Sequence, residues 1–477
     1  MKLRKFIVPL LMVSFAITSC GTEPAPDTEE IDTTFYFIFG NNMDTKAHFT
    51  YSNDYFRQPA TKFNSDFALM SFVATANSGQ KAEMKKFYDA IHFSNHYYTE
   101  VYDKGSGEDT YGFYMADRVI DDFTLVALSF RSYDYTQEWV SNVHLGKEGN
   151  HAGFEYAVNN ALVEFNDYMA KHYQGKNIKL WVNGFSRGGA EANMFSSLLL
   201  SEGNDYGLTE DNLYCYTFEA PACFSEENYH PEYKNIINMS NSGDVVVNVP
   251  PKDYGLYRSG RDVDILRDDF DELFAEYMYE IYPDLIPEKN DEGETVMVDK
   301  AKEYIDIIPS FVTSNKYKNE TEFMKVLVDR ILKTDDPNYG IQDREHYVEH
   351  LEPAAMFLTK LFYSMDQIAM YYVMNDFQRK YLDTPNHMLK LAALVLTEGG
   401  LYELVSPYLK YVQYEYEDED LQKTCDILYN ILLYFDIGDV LSIVGALSNI
   451  QRALYFHWHE SSYVLIRAFD GDPDANI

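Results

Sequence analysis

Residues 178–195, IKLWVNGFSRGGAEANMF, constrain the fold more than any other stretch of the chain. Ile178 to Asn183 is a short apolar run of the length of a buried strand, and a run of small residues at helical spacing follows it. Between them Gly184-Phe185-Ser186-Arg187-Gly188 spells G-x-S-x-G. In that pattern a sharp strand-to-helix turn holds the serine in a strained conformation above the sheet edge. A side chain at Gly184 or Gly188 would meet neighbouring backbone, and the helix N-terminus that follows presents N–H groups to a developing oxyanion. Ser186 is therefore a candidate nucleophile. Five residues of this kind also arise by chance, with the serine no more than a polar turn residue, so the surrounding segments have to decide.

Those segments alternate. Phe35 to Phe39 and Ala47 to Tyr51 read as short strands, Ser65 to Ala76 as an apolar helix, and Thr124 to Phe130 (TLVALSF) as a strand covered on both faces. Phe154, Val158, Leu162, Phe165 and Met169 recur at helical spacing, with Gly175 as the stop. Beyond the serine come a helix from Gly188 to about Leu200 and strands at Leu213–Phe218 and Asn235–Met239. Strands alternating with helices predict an α/β fold with a parallel sheet, whose sites gather at the carboxyl ends of the strands. From Val263 to about Asn449 the rhythm changes to helical spacing alone, in stretches such as EFMKVLVDRIL, PAAMFLTKLFYSMDQIAMYYVM and TCDILYNILLYF. The methionine and tyrosine face at Met370, Tyr371, Tyr372 and Met374 reads as bundle core.

The N-terminus has secretory-signal architecture: Lys2, Arg4 and Lys5, an apolar core from Phe6 to Ile17, then small residues. Thr18-Ser19-Cys20-Gly21 resembles the lipobox of bacterial lipoproteins, in which Cys20 is lipidated; Ile17 departs from the leucine usual there. An ordinary cleaved signal with an incidental cysteine is the alternative. The acidic GTEPAPDTEEIDTT that follows reads as a solvated tether. Removing the signal's basic residues moves the formal net charge from −37 to −40. Such charge excludes nucleic acid and bare anionic membrane as partners and suits a soluble exported body. Cys215, Cys223 and Cys425 have no C-x-x-C spacing and read as buried thiols, with a Cys215–Cys223 bridge as the alternative. The 477 residues suffice for more than one structural unit.

Four further segments join the serine motif in a fixed order, and together they resemble the fungal-type, or class 3, lipase family of the α/β-hydrolases. Ser129-Phe130-Arg131 with Glu138-Trp139 and Asn142 is similar to that family's strand, oxyanion loop and lid region. His151-Ala152-Gly153-Phe154 resembles its H-x-G-F, and Thr217-Phe218-Glu219-Ala220-Pro221 its T-F-x-x-P. Asn241-Ser242-Gly243-Asp244-Val245, ending in Pro250-Pro251, resembles the segment bearing its catalytic aspartate. The likeness covers about Phe123 to Gly260, a little over a quarter of the chain. It implies Ser186 as nucleophile, Asp244 as orienting acid and a histidine base, with backbone N–H groups of Arg187 and Tyr133 as the oxyanion hole. Ser132 stands where the family usually has glycine, and the bulky Tyr133 holds the donor position. For the base, the H-x-x-x-Y-like ending His459-Glu460-Ser461-Ser462-Tyr463 points to His459, with His457 as rival; on a helix the two would diverge by about 200°.

These readings divide the chain into a signal peptide (1–19), a tether (20–33), an α/β-hydrolase domain (34–261), a helical cap insert (262–449) and a return segment carrying the base (450–477). They predict an exported, membrane-anchored serine hydrolase acting on carboxylic, acylglycerol-like esters, with a lipid or ester as small-molecule partner and no metal or organic cofactor. Two other classes compete. A hydrolase scaffold that binds a ligand without catalysis fits the departures at Ser132 and Tyr133. A zinc protease fits His346-Tyr347-Val348-Glu349-His350, an H-x-x-E-H whose imidazoles lie one helical turn apart, although a solvated helix face explains the charged segment more simply. Asp470-Gly471-Asp472-Pro473-Asp474 mimics the opening of a calcium loop and reads as an acidic tail. His151 precedes the serine and reads as a helix anchor, and Asp253, beyond Pro250-Pro251, is the rival of Asp244.

Overall fold

The computed structural model describes residues 25–35, 45–133 apart from 106, 108 and 109, 138–281, 343–350 and 456–471, with a few short pieces between 288 and 410. In chain order the elements that build the site are β1 (Thr28–Phe35), β2 (Thr45–Ser52), α1 (Ser65–Ala76), α2 (Lys81–Ala90), β3 (Ser94–Tyr98), β4 (Phe113–Ile120) and β5 (Phe123–Phe130). There follow α3 (Ala152–His172), β6 (Ile178–Phe185), α4 (Ser186–Ser201), β7 (Leu213–Phe218), β8 (Ile236–Ser240), β9 (Arg261–Asp264), α5 (Phe270–Ile281), α6 (Arg344–His350) and α7 (His459–Arg467).

A seven-stranded sheet runs in the order β9-β8-β7-β6-β5-β4-β3. The five strands from β5 to β9 are parallel, as the alternation predicts, but β4 pairs antiparallel with β5 and β3 antiparallel with β4. The sheet is therefore mixed rather than purely parallel. β4 and β5 are joined by the tight Asp121-Asp122 connection, which only an antiparallel pair accommodates.

All eight residues of β5 are buried because helices cover both faces. On one face Phe154, Val158 and Phe165 of α3 and Met194, Phe195 and Leu199 of α4 pack against Val126, Leu128, Leu180, Val182 and Cys215. On the other, Phe67 and Phe72 of α1, Tyr88 of α2, Phe274 of α5 and Tyr463 of α7 pack with Trp181, Tyr214, Tyr216 and Phe218. Alternate residues of each strand thus feed two separate cores, the period-2 rule of a strand. The α1 start is fixed by Asn64, whose Oδ1 accepts from the Phe67 N–H at 2.7 Å. These layers are those of the expected α/β-hydrolase sheet.

Two boundaries shift. The tether does not extend to residue 33, since Thr28–Phe35 is a strand paired antiparallel with β2. Ile31 and Phe35 are its buried side chains, so two apolar residues in eight and a partner strand are enough to order it. The hydrolase sheet also continues past residue 261, because β9 occupies Arg261–Asp264. The predicted strand Phe35–Phe39 lies largely outside the described residues, as do Cys20, Cys425, most of the three helical stretches, the Met370–Met374 face and Asp472–Asp474. Cys215 and Cys223 are separate buried thiols, not a bridge.

Candidate active site

β6 delivers Phe185 to the carboxyl end of the sheet, and Ser186 turns the chain with φ of 54° before α4 begins. A left-handed φ at a residue with a Cβ is strained and persists only where its surroundings hold it. The neighbouring glycines hold it here by close approach. A Cβ on Gly184 would lie 2.0 Å from the Gly188 carbonyl oxygen, and one on Gly188 would lie 2.9 Å from the Arg131 carbonyl oxygen.

Asp244 sits in the loop after β8, fully buried, with its Oδ1 accepting from the Val246 N–H at 2.8 Å. Its Oδ2 meets Nδ1 of His457 at 2.5 Å, and Nε2 of that ring meets Ser186 Oγ at 2.8 Å. The structure thus brings Ser186 and Asp244 together through His457 and not through His459. α7 begins at His459, and the preceding Trp458 has extended φ and ψ, so the chain turns between the two histidines and sends their rings apart. His459 is buried against the rings of Phe185, Tyr133 and Phe72, at 4.6, 5.2 and 6.2 Å between centroids. Gly243 admits the ring of Phe456, next to His457, which a Cβ there would meet at 2.7 Å.

The two residues expected to supply oxyanion donors lie at the start of α4 and in the loop after β5. Arg187 lies in the first turn of α4, where a helix presents amides to an anion. Tyr133 follows β5, and its ring lies over Gly79 and against His459; 134–137 are outside the described residues. Ser132, the departure from the family glycine, has a visible use. Its Oγ accepts from the Phe185 N–H at 3.0 Å and donates to the Phe130 carbonyl at 3.2 Å, while its N–H donates to Ser78 Oγ at 3.0 Å. The serine side chain therefore ties this loop to the elbow.

The Arg187 guanidinium is engaged by neighbouring side chains. It is buried, donates to Ser141 Oγ at 2.6 Å and Asn142 Oδ1 at 2.7 Å, and pairs with Glu191 at 3.0 Å. Arg131 pairs with Glu138 in the same cluster. Burial outweighs the attraction of Arg187 and pushes Glu191 up to about 7.

Glu219, within T-F-E-A-P, has a role that the sequence alone does not disclose. It is fully buried with φ of 47°, accepts from the Asn241 N–H at 2.9 Å and from Ser462 Oγ at 3.0 Å, and lies in hydrogen-bond contact with Asp244. A carboxylate in a turn at the end of an apolar strand was the available signal.

The other candidates fall elsewhere. Asp253 is exposed on a short 3-10 turn. The H-x-x-E-H forms α6, which docks through Arg344 and Tyr347 while Glu345 and Glu349 face solvent, as a solvated helix face predicts. Arg344 at its start donates to the carbonyls of Gly146 and Gly149 at 2.6 and 2.7 Å, Tyr347 donates to the Val143 carbonyl at 2.8 Å, and His346 bonds Asp343 at 2.7 Å.

His151 caps α3, buried and stacked on Phe154 at 3.9 Å. Burial, with Arg187 and Arg344 nearby, lowers its pKa from 6.5 to about 3. The unfolded chain takes up this proton near 6.5 and the folded one only near 3, so the stability contribution is complete above 6.5. It is lost at about 1.4 kcal/mol per pH unit as the pH falls below that value. Glu191, raised to about 7, contributes a slope of opposite sign that is common to both proteins, so urea denaturation at about pH 5 and about pH 7 should show the parent losing more stability with falling pH than His151→Gln. Equal slopes in the two proteins would refute the assignment.

Residues 124–254 match the family described as lipase (class 3). No curated protein matches the chain. Among solved structures, a fungal lipase–inhibitor complex is 18% identical over 42% of this chain and 78% of its own, with a TM-score of 0.33. The native propeptide complex of Rhizomucor miehei lipase is 21% identical over 43% of this chain and 68% of its own, with a TM-score of 0.32. The lipase from Rhizopus microsporus var. chinensis is 15% identical over 43% of this chain and 77% of its own, also with a TM-score of 0.32.

Proposed function

We propose that this chain, whose residues 124–254 match the class 3 lipase family, hydrolyses carboxylic esters of lipids with Ser186, His457 and Asp244 as its catalytic triad. The observation that carries the assignment is the unbroken hydrogen-bond chain from Ser186 Oγ through both nitrogens of His457 to Asp244, assembled from positions 271 and 213 residues apart. A serine hydroxyl is a weak nucleophile at neutral pH and needs a base within hydrogen-bond reach. In the tautomer with Nδ1 protonated, His457 donates to Asp244 and accepts the Ser186 proton at Nε2 as Oγ attacks the ester carbonyl. The oxyanion is stabilised by the Arg187 N–H and by the Tyr133 N–H, each such donor being worth about 3 kcal/mol in the transition state. His457 then returns the proton to the leaving alcohol, leaving an acyl-Ser186 ester. Water, deprotonated by the same imidazole, releases the acid.

A fluorophosphonate probe tests this on the chain starting after Cys20. One adduct by intact mass, absent from Ser186→Ala, is the expected result. No adduct on folded parent protein would reject the hydrolase and leave a ligand-binding scaffold. We further propose that the chain is exported and held at a membrane by a lipid on Cys20. Metabolic labelling with an alkynyl fatty acid should then mark the parent and not Cys20→Ala, and equal labelling of both would overturn the anchor.

A further inference from the structure

Asp244 is a fully buried carboxylate whose contacts are the Val246 N–H, the His457 ring and a second carboxyl group, that of Glu219. Two buried carboxyl groups in contact do not both ionise, because burial and their mutual repulsion both penalise the second charge. One of them holds a proton between them. The one that stays ionised is the partner of the imidazole, since His457 gains charge only in the transition state and needs an anion there. Glu219 is left as the neutral acid.

Its other contacts are as specific. The Asn241 N–H, at 2.9 Å, belongs to the loop that presents Asp244. The Ser462 hydroxyl, at 3.0 Å, belongs to α7, which follows His457 directly. Glu219 itself leaves the end of β7 with φ of 47°, an unfavourable region for any residue but glycine, and its backbone N–H is held by the Met239 carbonyl at 3.1 Å. A side chain retained at such a position is one whose contacts outweigh the strain.

We propose, building on the triad assigned above, that Glu219 is its positioning residue: its carboxylic acid O–H donates to Asp244 while its oxygens accept from Asn241 and Ser462. One side chain then sets the aspartate loop and the histidine segment in register, although more than 200 residues of chain separate them. Burial and the Asp244 charge hold the Glu219 carboxyl well above the usual carboxylate range, in keeping with the donor role.

The test compares Glu219→Gln and Glu219→Gly in the chain starting after Cys20. Glutamine keeps an N–H donor toward Asp244 and an acceptor for its neighbours. Glycine removes the side chain while relieving the left-handed backbone, so it folds where alanine would retain the strain. The expected result is a kcat within about threefold of the parent for the glutamine variant. The glycine variant should lose about 10- to 100-fold in kcat with KM little changed, the scale of a misplaced catalytic group. The low-field Nδ1 proton resonance of His457 should persist in the glutamine variant and shift or vanish in the glycine variant. Unchanged kcat in the glycine variant overturns the proposal, as does an equal loss in both variants or an unmoved resonance. If the folded parent lacks the fluorophosphonate adduct, the hydrolase assignment fails, and the resonance still reports on whether Glu219 orders the Asp244–His457 pair.

Discussion

His457→Ala should lower kcat/KM by about 10⁴- to 10⁶-fold, as much as Ser186→Ala, and combining the two should add little further loss, because the pair acts as one unit. The reason is geometric: His457 alone bridges Ser186 Oγ at 2.8 Å and Asp244 Oδ2 at 2.5 Å. His459→Ala should behave differently. Its ring fills a space among Phe72, Tyr133 and Phe185, so removing it should cost about 2–4 kcal/mol of stability while the folded fraction still reacts with the probe. Steady-state kinetics and adduct formation, normalised to folded protein, separate the two. Full reactivity in His457→Ala, with none in folded His459→Ala, would reverse the assignment.

Gly184→Ala should be the most destabilising single methyl addition in the site. The added Cβ would stand 2.0 Å from the oxygen and 2.3 Å from the carbon of the Gly188 carbonyl, backbone atoms that cannot swing aside as a flexible side chain can. Relieving that contact means separating β6 from the first turn of α4, which also moves Ser186. The expected loss is at least about 3 kcal/mol, at the upper end for overpacking, together with loss of the adduct. Gly175→Ala is the control. Gly175 has φ of 74° with nothing within 4 Å of an added Cβ, so only the left-handed backbone is penalised, by about 1–2 kcal/mol. Urea midpoints for the two variants read the difference. A Gly184→Ala protein as stable as Gly175→Ala would refute the close-approach account.

Much of the sheet was legible because buried parallel strands write themselves as short apolar runs. Leu213–Phe218 is a strand with the predicted bounds, and β5, β6 and β8 differ from expectation by one or two residues at their ends. Strands that lean on partners were not legible. β3 (SNHYY) and the start of β1 (TEEI) carry few apolar residues and are ordered by pairing with β4 and β2. The same holds in the site. Ser132 looked like a defect in the oxyanion loop because its use, a bond to the Phe185 N–H, crosses to a strand 53 residues away.

The local pattern by itself determined the nucleophile elbow, since glycine at 184 and 188 and serine at 186 are requirements of a backbone turn, and a turn is made of neighbours in sequence. The loop that carries Asp244 is implied only by the resemblance of Asn241–Val245 to the lipase segment. The tertiary structure alone decided which imidazole reaches that pair. His457 and His459 are two residues apart with equal chemistry, and the choice between them follows from the bend at Trp458 and from the packing of Phe185 against both rings. The contact of Glu219 with both Asp244 and Ser462 was likewise decided by packing, because it joins the ends of β7 and β8 to a helix more than 200 residues further along. Local sterics are encoded locally, whereas a hydrogen bond between distant segments exists only after the sheet has set their positions.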